Sequence, residues 1–284
     1  SASNSTRRAG LVSPADTRRG GSPQRSNKDN GNMRTVKTSS PSRFRRRKQL
    51  GRGKVIHATP VKPQLPDKTK PPAKSSPIPK LFEGEKAFVM ATGPSLTQEV
   101  IDRIYKESGW RYIGISDCYR ICPFLDFHYA CDNRWWEIHY SKILEWDGCE
   151  NGYWCTEKHT KAKFNKLHWV IGTGGKGWSD NPAKIHYGSN SGFQITNIAY
   201  LLGIKYMVLL GFNMMVTGDK KEPMRHFFGD HPQGLSRNSS YQSFAAQFEF
   251  IKTNGVKVVN ATEPSRLKAF PRMSLEDAIS TAPK

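Results

Sequence analysis

The sequence predicts an α/β architecture: a mostly parallel sheet with helices on both faces, preceded by a long basic arm that is disordered or extended. Three observations carry the prediction. From residue 86 onward, apolar runs of strand length alternate with helix-patterned segments. The boundaries between them fall largely at Gly, Pro, Asn or Asp. Residues 1–80 differ from the rest in both charge and aromatic content.

Each element follows in order. "KAFVMA" (86–91) is a buried-strand run, followed by a helix over "TQEVIDRIYKES" (97–108). "RYIGIS" (111–116) and "LDFHYACD" (125–132) are the next strands, and an aromatic, less regular region covers 134–188. "SGFQITNIAYLLG" (191–203) is a helix with apolar residues at 193, 195, 198, 201 and 202, closed by Gly203. "KYMVLLGF" (205–212) is a strand, and "SYQSFAAQFEFIKTNG" (240–255) a helix ended by Gly255. "VKVVNAT" (256–262) is the last strand. Strands alternating with helices imply parallel pairing through crossovers. Residues 81–284 are thus expected to form one domain.

Residues 1–80 carry 20 Lys/Arg against 3 Asp/Glu, a net +17; the rest carry 24 against 21, a net +3. This segment holds ten of the eighteen prolines and a single aromatic, Phe44. It cannot bury enough apolar surface to offset its ordering entropy. Its densest cluster is Arg43, Arg45, Arg46, Arg47, Lys48, Arg52 and Lys54. Such a cluster gains by releasing counterions from a polyanion (nucleic acid, an acidic protein surface or an anionic membrane), or else serves as a solvated linker or targeting address. One aromatic is too few for base stacking. No apolar run is long enough to span a bilayer, and no apolar core of a secretory signal follows the basic start. Five cysteines without paired zinc-finger spacing read as free thiols in a reducing compartment.

Ligands of open α/β sheets sit at the carboxyl ends of the strands. Polar residues recur at those ends: Ser95, Asp117, Asp132, Asn213 and Asn260. In "ATGPSL", Gly93 permits close backbone approach, Pro94 fixes the turn, and Ser95 is placed to cap the next helix with Gln98. Exposed amides at such a helix start favour an anion. A second helix start, "SNSG", offers Asn190, Ser191 and Gly192, and Gly211 opens the loop that carries Asn213. "IGTGGKGW" (171–178) has phosphate-loop composition without a following helix and reads as a flexible loop or lid. "RHFFGDHP" (225–232) is the most chemically loaded stretch. His226, Asp230 and His231 fit a general base or a bland surface loop, and less readily a divalent-metal site.

Taken together, "VMATGPSL", "GISDCY", "SGFQITNIAYLLGIKYMVLLGFNMM", "HFFGDH" and "GVKVVNATEPSRLKAF" resemble the bacterial lipooligosaccharide sialyltransferases. They resemble a related phage-encoded domain family more closely, especially around "YACDNRWWEIHY" and "HFFGDHP". The resemblance spans residues 86–272 and implies a Rossmann-like sheet of the glycosyltransferase A type. It also implies an inverting transfer from a CMP-linked donor to a hydroxyl, with no metal or other cofactor required. His231 would be the base, His226 the other histidine of the motif, and Asp230 an inserted neighbour. Gly93, Pro94, Ser95, Asp117, Asp132, Asn190, Ser191, Gly192, Gly211 and Asn213 would surround the nucleotide. The chain departs from the enzymes at Met214 and Met215, where tyrosines are expected, and at Gly188 or Ser189, where an arginine is expected. It also has Asp117 in place of an asparagine. Two alternatives accompany this reading. One is a virion component whose basic arm contacts nucleic acid or other virion proteins. The other is a diphosphate-transferring kinase with Mg²⁺ at Asp117 or Asp132. The expected setting is a bacterial cytoplasm or a phage particle.

Overall fold

The computed structural model describes residues 74–146, 148–149, 151–232 and 241–284. The basic cluster at 43–54 lies outside the described residues. In chain order the elements begin with β1 (Lys86–Met90), α1 (Gln98–Ile104), β2 (Trp110–Ile115), a 3₁₀ turn (Ser116–Arg120) and β3 (Phe127–Tyr129). Then come α2 (Asn133–Glu145), β4 (Tyr153–Cys155), α3 (Lys158–Lys163), β5 (Leu167–Trp169), β6 (Ile171–Thr173) and β7 (Lys184–His186). The remainder is α4 (Ser191–Leu201), β8 (Tyr206–Leu210), β9 (Thr217–Gly218), β10 (Pro223–Met224), α5 (Tyr241–Phe248), β11 (Lys257–Asn260) and α6 (Leu275–Ser280).

Seven strands form one sheet in the order β11-β8-β1-β2-β3-β4-β5, and every pairing in it is parallel. Parallel central strands are covered on both faces, so they read as continuous apolar runs. β1 has Ala87, Phe88, Val89 and Met90 fully buried, and all of β8 is buried. Chain order reverses at β1: the chain leaves toward β2–β5, then returns on the other side as β8 and β11. That reversal is a topological switch point and opens a crevice beyond the strand ends.

α4 is buried along nearly its whole length, from Gly192 through Ala199, and packs on β1, β2 and β7. A helix apolar on most faces belongs inside a protein, and here it fixes its own N-terminus against the strand ends. Gly203, at φ +97°, follows the helix's last capped residue.

The region 134–188 is more regular than its sequence suggests. It supplies α2 and α3 and two strands of the main sheet, β4 and β5. Those strands are three residues long, too short to show a periodicity. Within "IGTGGKGW", Ile171–Thr173 forms β6, paired in parallel with β7, in place of the expected loop. The helix expected over 240–255 ends at Phe248, and Gly255 (φ +82°) turns the chain into β11 instead. The expected arm boundary at residue 80 falls inside the packed body: Ser76 N–H bonds Trp169 O, and Ile78 N–H bonds Pro182 O. Among the described residues, no helix is long and apolar enough to cross a membrane.

The ends of β1 and β8 touch through their backbones. Gly93 N–H donates to Gly211 O at 2.9 Å. A Cβ on Gly93 would lie 2.2 Å from Asn213 Oδ1 and 2.3 Å from Gly211 O. A Cβ on Gly211, which has φ +73°, would lie 2.2 Å from Ala91 O. Gly93 thus lets one strand end approach the other, whereas the sequence suggested room for a ligand. Gly93→Ala or Gly211→Ala is expected to cost about 3–5 kcal/mol in urea unfolding. Gly255→Ala, left-handed but open in space, is expected to cost only about 1–2 kcal/mol. Equal losses at the three positions would contradict the interlock.

Candidate functional site

Beyond the switch point lies a cavity of about 350 Å³. The ends of β1, β2 and β3 supply Ala91–Gly93, Ile115–Ser116 and Cys131–Asp132. The segment after β8 supplies Gly211–Met215, the start of α4 supplies Ser189–Gly192, and Arg225, His226 and His231 come from the histidine loop. Trp135 of α2 and Tyr241 and Phe244 of α5 complete the wall.

Of the residues expected around a nucleotide, the fold brings together Gly93, Asp132, Asn190, Ser191, Gly192, Gly211 and Asn213 on this wall. Others are placed elsewhere. Ser95 does not cap α1; Thr97 does, accepting from Val100 N–H, while Gln98 donates to Asp102. Ser95 instead gives its N–H (3.3 Å) and Oγ–H (2.9 Å) to Asn213 Oδ1. It lines a neighbouring groove together with Thr262, Arg272 and Asp277. Pro94 lines neither. Asn213 donates from Nδ2 to Pro264 O at 2.7 Å, so both ends of its side chain are used in joining three loops.

Asp117 is buried but is not on the cavity wall. Its carboxylate accepts from Trp135 Nε1 at 2.8 Å and from Arg120 at 3.1 Å, which commits it to holding Trp135. Trp135 stacks on His139 with ring centroids 4.5 Å apart. Asn260 is buried as a turn residue bonded to Ser265, Leu267 and Thr262. Asp230 is exposed and pairs with Arg225 at 3.2 Å. Among the described residues no cluster of three or more His, Cys, Asp or Glu side chains could hold a metal ion.

The start of α4 is built for an acceptor. Asn190 caps it, with Oδ1 accepting from Phe193 N–H at 2.7 Å and Nδ2 bonded to Gly188 O. The next amides, those of Ser191 and Gly192, have no carbonyl to pair with inside the helix. Gly188 (φ +49°) and Ser189 (φ +60°) bring the chain in through two successive left-handed residues.

Two features set this cavity apart from an ordinary surface cleft. Four non-glycine residues have positive φ among the described residues, and three of them line it: Ser116 (+44°), Ser189 (+60°) and Met214 (+49°). Each such conformation costs on the order of 1–3 kcal/mol and persists where the surroundings enforce it. Three buried side-chain polar atoms lack a hydrogen-bond partner among the described residues, and two of them, His231 Nδ1 and Tyr241 Oη, belong to wall residues. Such atoms carry a desolvation cost unless something satisfies them.

The electrostatics follow from burial. His226 has its pKa pushed down to about 4, chiefly by burial and then by His231. Its Nδ1 lies 3.0 Å from Thr92 Oγ1, its ring lies parallel to Phe228 at 5.0 Å, and its centroid is 4.4 Å from that of His231. Burial also lowers the pKa of His231, against the opposing charges of Asp117, Asp132 and Asp230. Both imidazoles are therefore neutral at pH 7. Burial raises Asp132, and it stands at the N-cap of α2 without making a side-chain capping bond. Cys131 is likewise raised by burial and stays a thiol.

Tyr241 and Phe244 join the site without a sequence signal that separates them from packing residues, whereas Ser189 and Arg225 stand in the helix-start and histidine-loop motifs and Trp135 follows Asp132 closely. Positive φ at a serine is invisible in the letters. Tyr241 lies too far along the chain from the strand ends to be associated with them.

Fold and site together define an α/β protein with a strained, partly apolar crevice at the switch point of a parallel sheet. No protein-family model matches the chain, and no curated protein matches it. Among solved structures it is similar to the MAf glycosyltransferase from Magnetospirillum magneticum AMB-1, at 12% identity and a TM-score of 0.48. The match covers 73% of this chain and 35% of that one, so the chain spans about a third of that protein's length.

Below the site, His128 is fully buried with its pKa lowered to about 4 by burial. The unfolded chain binds that proton near 6.5, so stability is complete above pH 6.5 and falls as pH drops toward 4. Chemical denaturation is expected to show a loss of about 3 kcal/mol from this group over that range. In His128→Gln the acid limb should be shallower. An unchanged pH slope in the variant would show that another group sets it.

Proposed function

We propose that the protein is a glycosyltransferase-like enzyme that binds a nucleotide-linked sugar in the switch-point cavity and transfers the sugar to a hydroxyl acceptor. The reading is supported above all by one juxtaposition. The same cavity holds a helix start with unpaired amides, suited to a phosphate, and a neutral histidine, His231, whose buried Nδ1 has no partner among the described residues.

In this reading the donor's phosphate lies against Ser191 and Gly192, and the acceptor hydroxyl lies at His231. The imidazole takes the hydroxyl proton as the oxygen attacks the anomeric carbon. The bond from that carbon to the phosphate oxygen breaks, and the phosphate leaves with the electron pair. The transfer is a single displacement with inversion. A CMP-linked sugar such as CMP-sialic acid is the donor suggested by the sequence resemblance. Its phosphodiester carries one negative charge, in keeping with a wall whose one arginine, Arg225, is already paired with Asp230.

A thermal-shift panel of CMP-, UDP- and GDP-linked sugars should show stabilisation by one nucleotide class. With that donor, His231→Gln should lower kcat about 10²–10⁴-fold, the usual contribution of a general base. Because the His231 pKa lies below 6.5, wild-type turnover should be level at pH 7 and decline only in the acid range. Unaltered turnover in His231→Gln would remove this histidine from the chemistry.

A further inference from the structure

Two parts of the cavity wall differ in a way that the proposed transfer does not by itself require. The start of α4 has no acidic residue in its first turn, and its donors are amides. By the His231 wall a single carboxylate, that of Asp132, lines the cavity. Asp117, Asp132 and Asp230 all face the His231 imidazole electrostatically. Two of these carboxylates have cation partners, Asp117 with Arg120 and Asp230 with Arg225. No ion pair is made by Asp132 among the described residues, and it lines the cavity without capping α2. The two orphaned polar atoms, His231 Nδ1 and Tyr241 Oη, belong to residues that line the same cavity.

We infer that Asp132, His231 and Tyr241 form a subsite for neutral vicinal hydroxyls, in which Asp132 discriminates hydroxyl from phosphate and Tyr241 bonds the hydroxyl. The chemistry of the set carries this assignment. A carboxylate accepts from a hydroxyl and repels a phosphate. A neutral imidazole nitrogen accepts or donates according to tautomer, and a phenol does both. A ligand oxygen bearing its own hydrogen can satisfy all three groups, whereas a phosphate oxygen can only accept. The cavity is then polar in direction, with an anion at the α4 amides and hydroxyls at the opposite chemistry. The hydroxyls could belong to the nucleoside ribose or to a free sugar. The inference shares its cavity with the proposed transfer and rests on that reading for the anion end only.

The test uses the full chain and Tyr241→Phe, with Asp132→Asn as a second variant, titrated by NMR with four probes. These are inorganic phosphate, cytidine, CMP and methyl β-galactoside, with melting temperatures recorded alongside. In Tyr241→Phe, affinity for a hydroxyl probe should fall about five- to tenfold relative to phosphate, the loss of one hydrogen bond. Asp132→Asn should shift the same ratio in the same direction. Parallel losses for cytidine and CMP would assign the hydroxyls to the ribose, and a loss confined to the galactoside would assign them to a free sugar. Three results would overturn the inference: no binding of any hydroxyl probe by wild type, no change in the ratio, or a larger loss for phosphate. If hydroxyl probes bind in a Tyr241-dependent manner but no nucleotide sugar is turned over, the transferase reading fails and this subsite stands.

Discussion

The close contact between the ends of β1 and β8 is the constraint on which the site depends. Two glycines meet there, and neither tolerates a Cβ. Asn213 then ties the loop after β8 to Ser95 on one side and to Pro264 on the other. Because these backbones are locked, the loops that leave them diverge in fixed directions. One passes to α1, and the other runs through Met214 and Met215 toward the histidine loop. The crevice between them is a consequence of strand order, but its shape is a consequence of this lock.

The strain at Ser116, Ser189 and Met214 has meaning in the same frame. A buried sheet and a buried α4 over-determine the backbone at their junctions, so conformations that would relax elsewhere are held. Their combined cost is several kcal/mol, comparable to a large fraction of the stability of an ordinary domain. The orphaned His231 Nδ1 and Tyr241 Oη add to it. Two of the three orphaned buried side-chain atoms among the described residues, and three of the four strained non-glycine residues, thus fall in one cavity, where a ligand would meet them.

Much of this was legible in the letters. The continuous apolar runs at 86–90 and 206–210 identified the central strands because parallel strands are covered on both faces. The strand-end rule pointed to the edge of the sheet at which the cavity lies. It could not say which way each side chain turns. Ser95, Asn213 and Asn260 were candidates by position, and the fold spends all three on loop-to-loop hydrogen bonds. Asp117, which stands where the resemblance expects an asparagine, is bonded to Trp135 and Arg120 and does not line the cavity. Trp135 is buried in the core and also lines the cavity. β4 and β5 were missed because three residues carry no periodicity. Tyr241 was missed because nothing local marks a helix's first tyrosine as facing a site built from other strands.

The central claim is that the switch-point cavity, and not the neighbouring groove across Gly211, receives the ligand. Hydrogen–deuterium exchange over the whole chain, with and without saturating CMP, tests it most directly. The account predicts slowed exchange at residues 189–193 and 226–231, with residues 272–281 unchanged. Protection confined to 272–281, or no protection at 189–193, would contradict it.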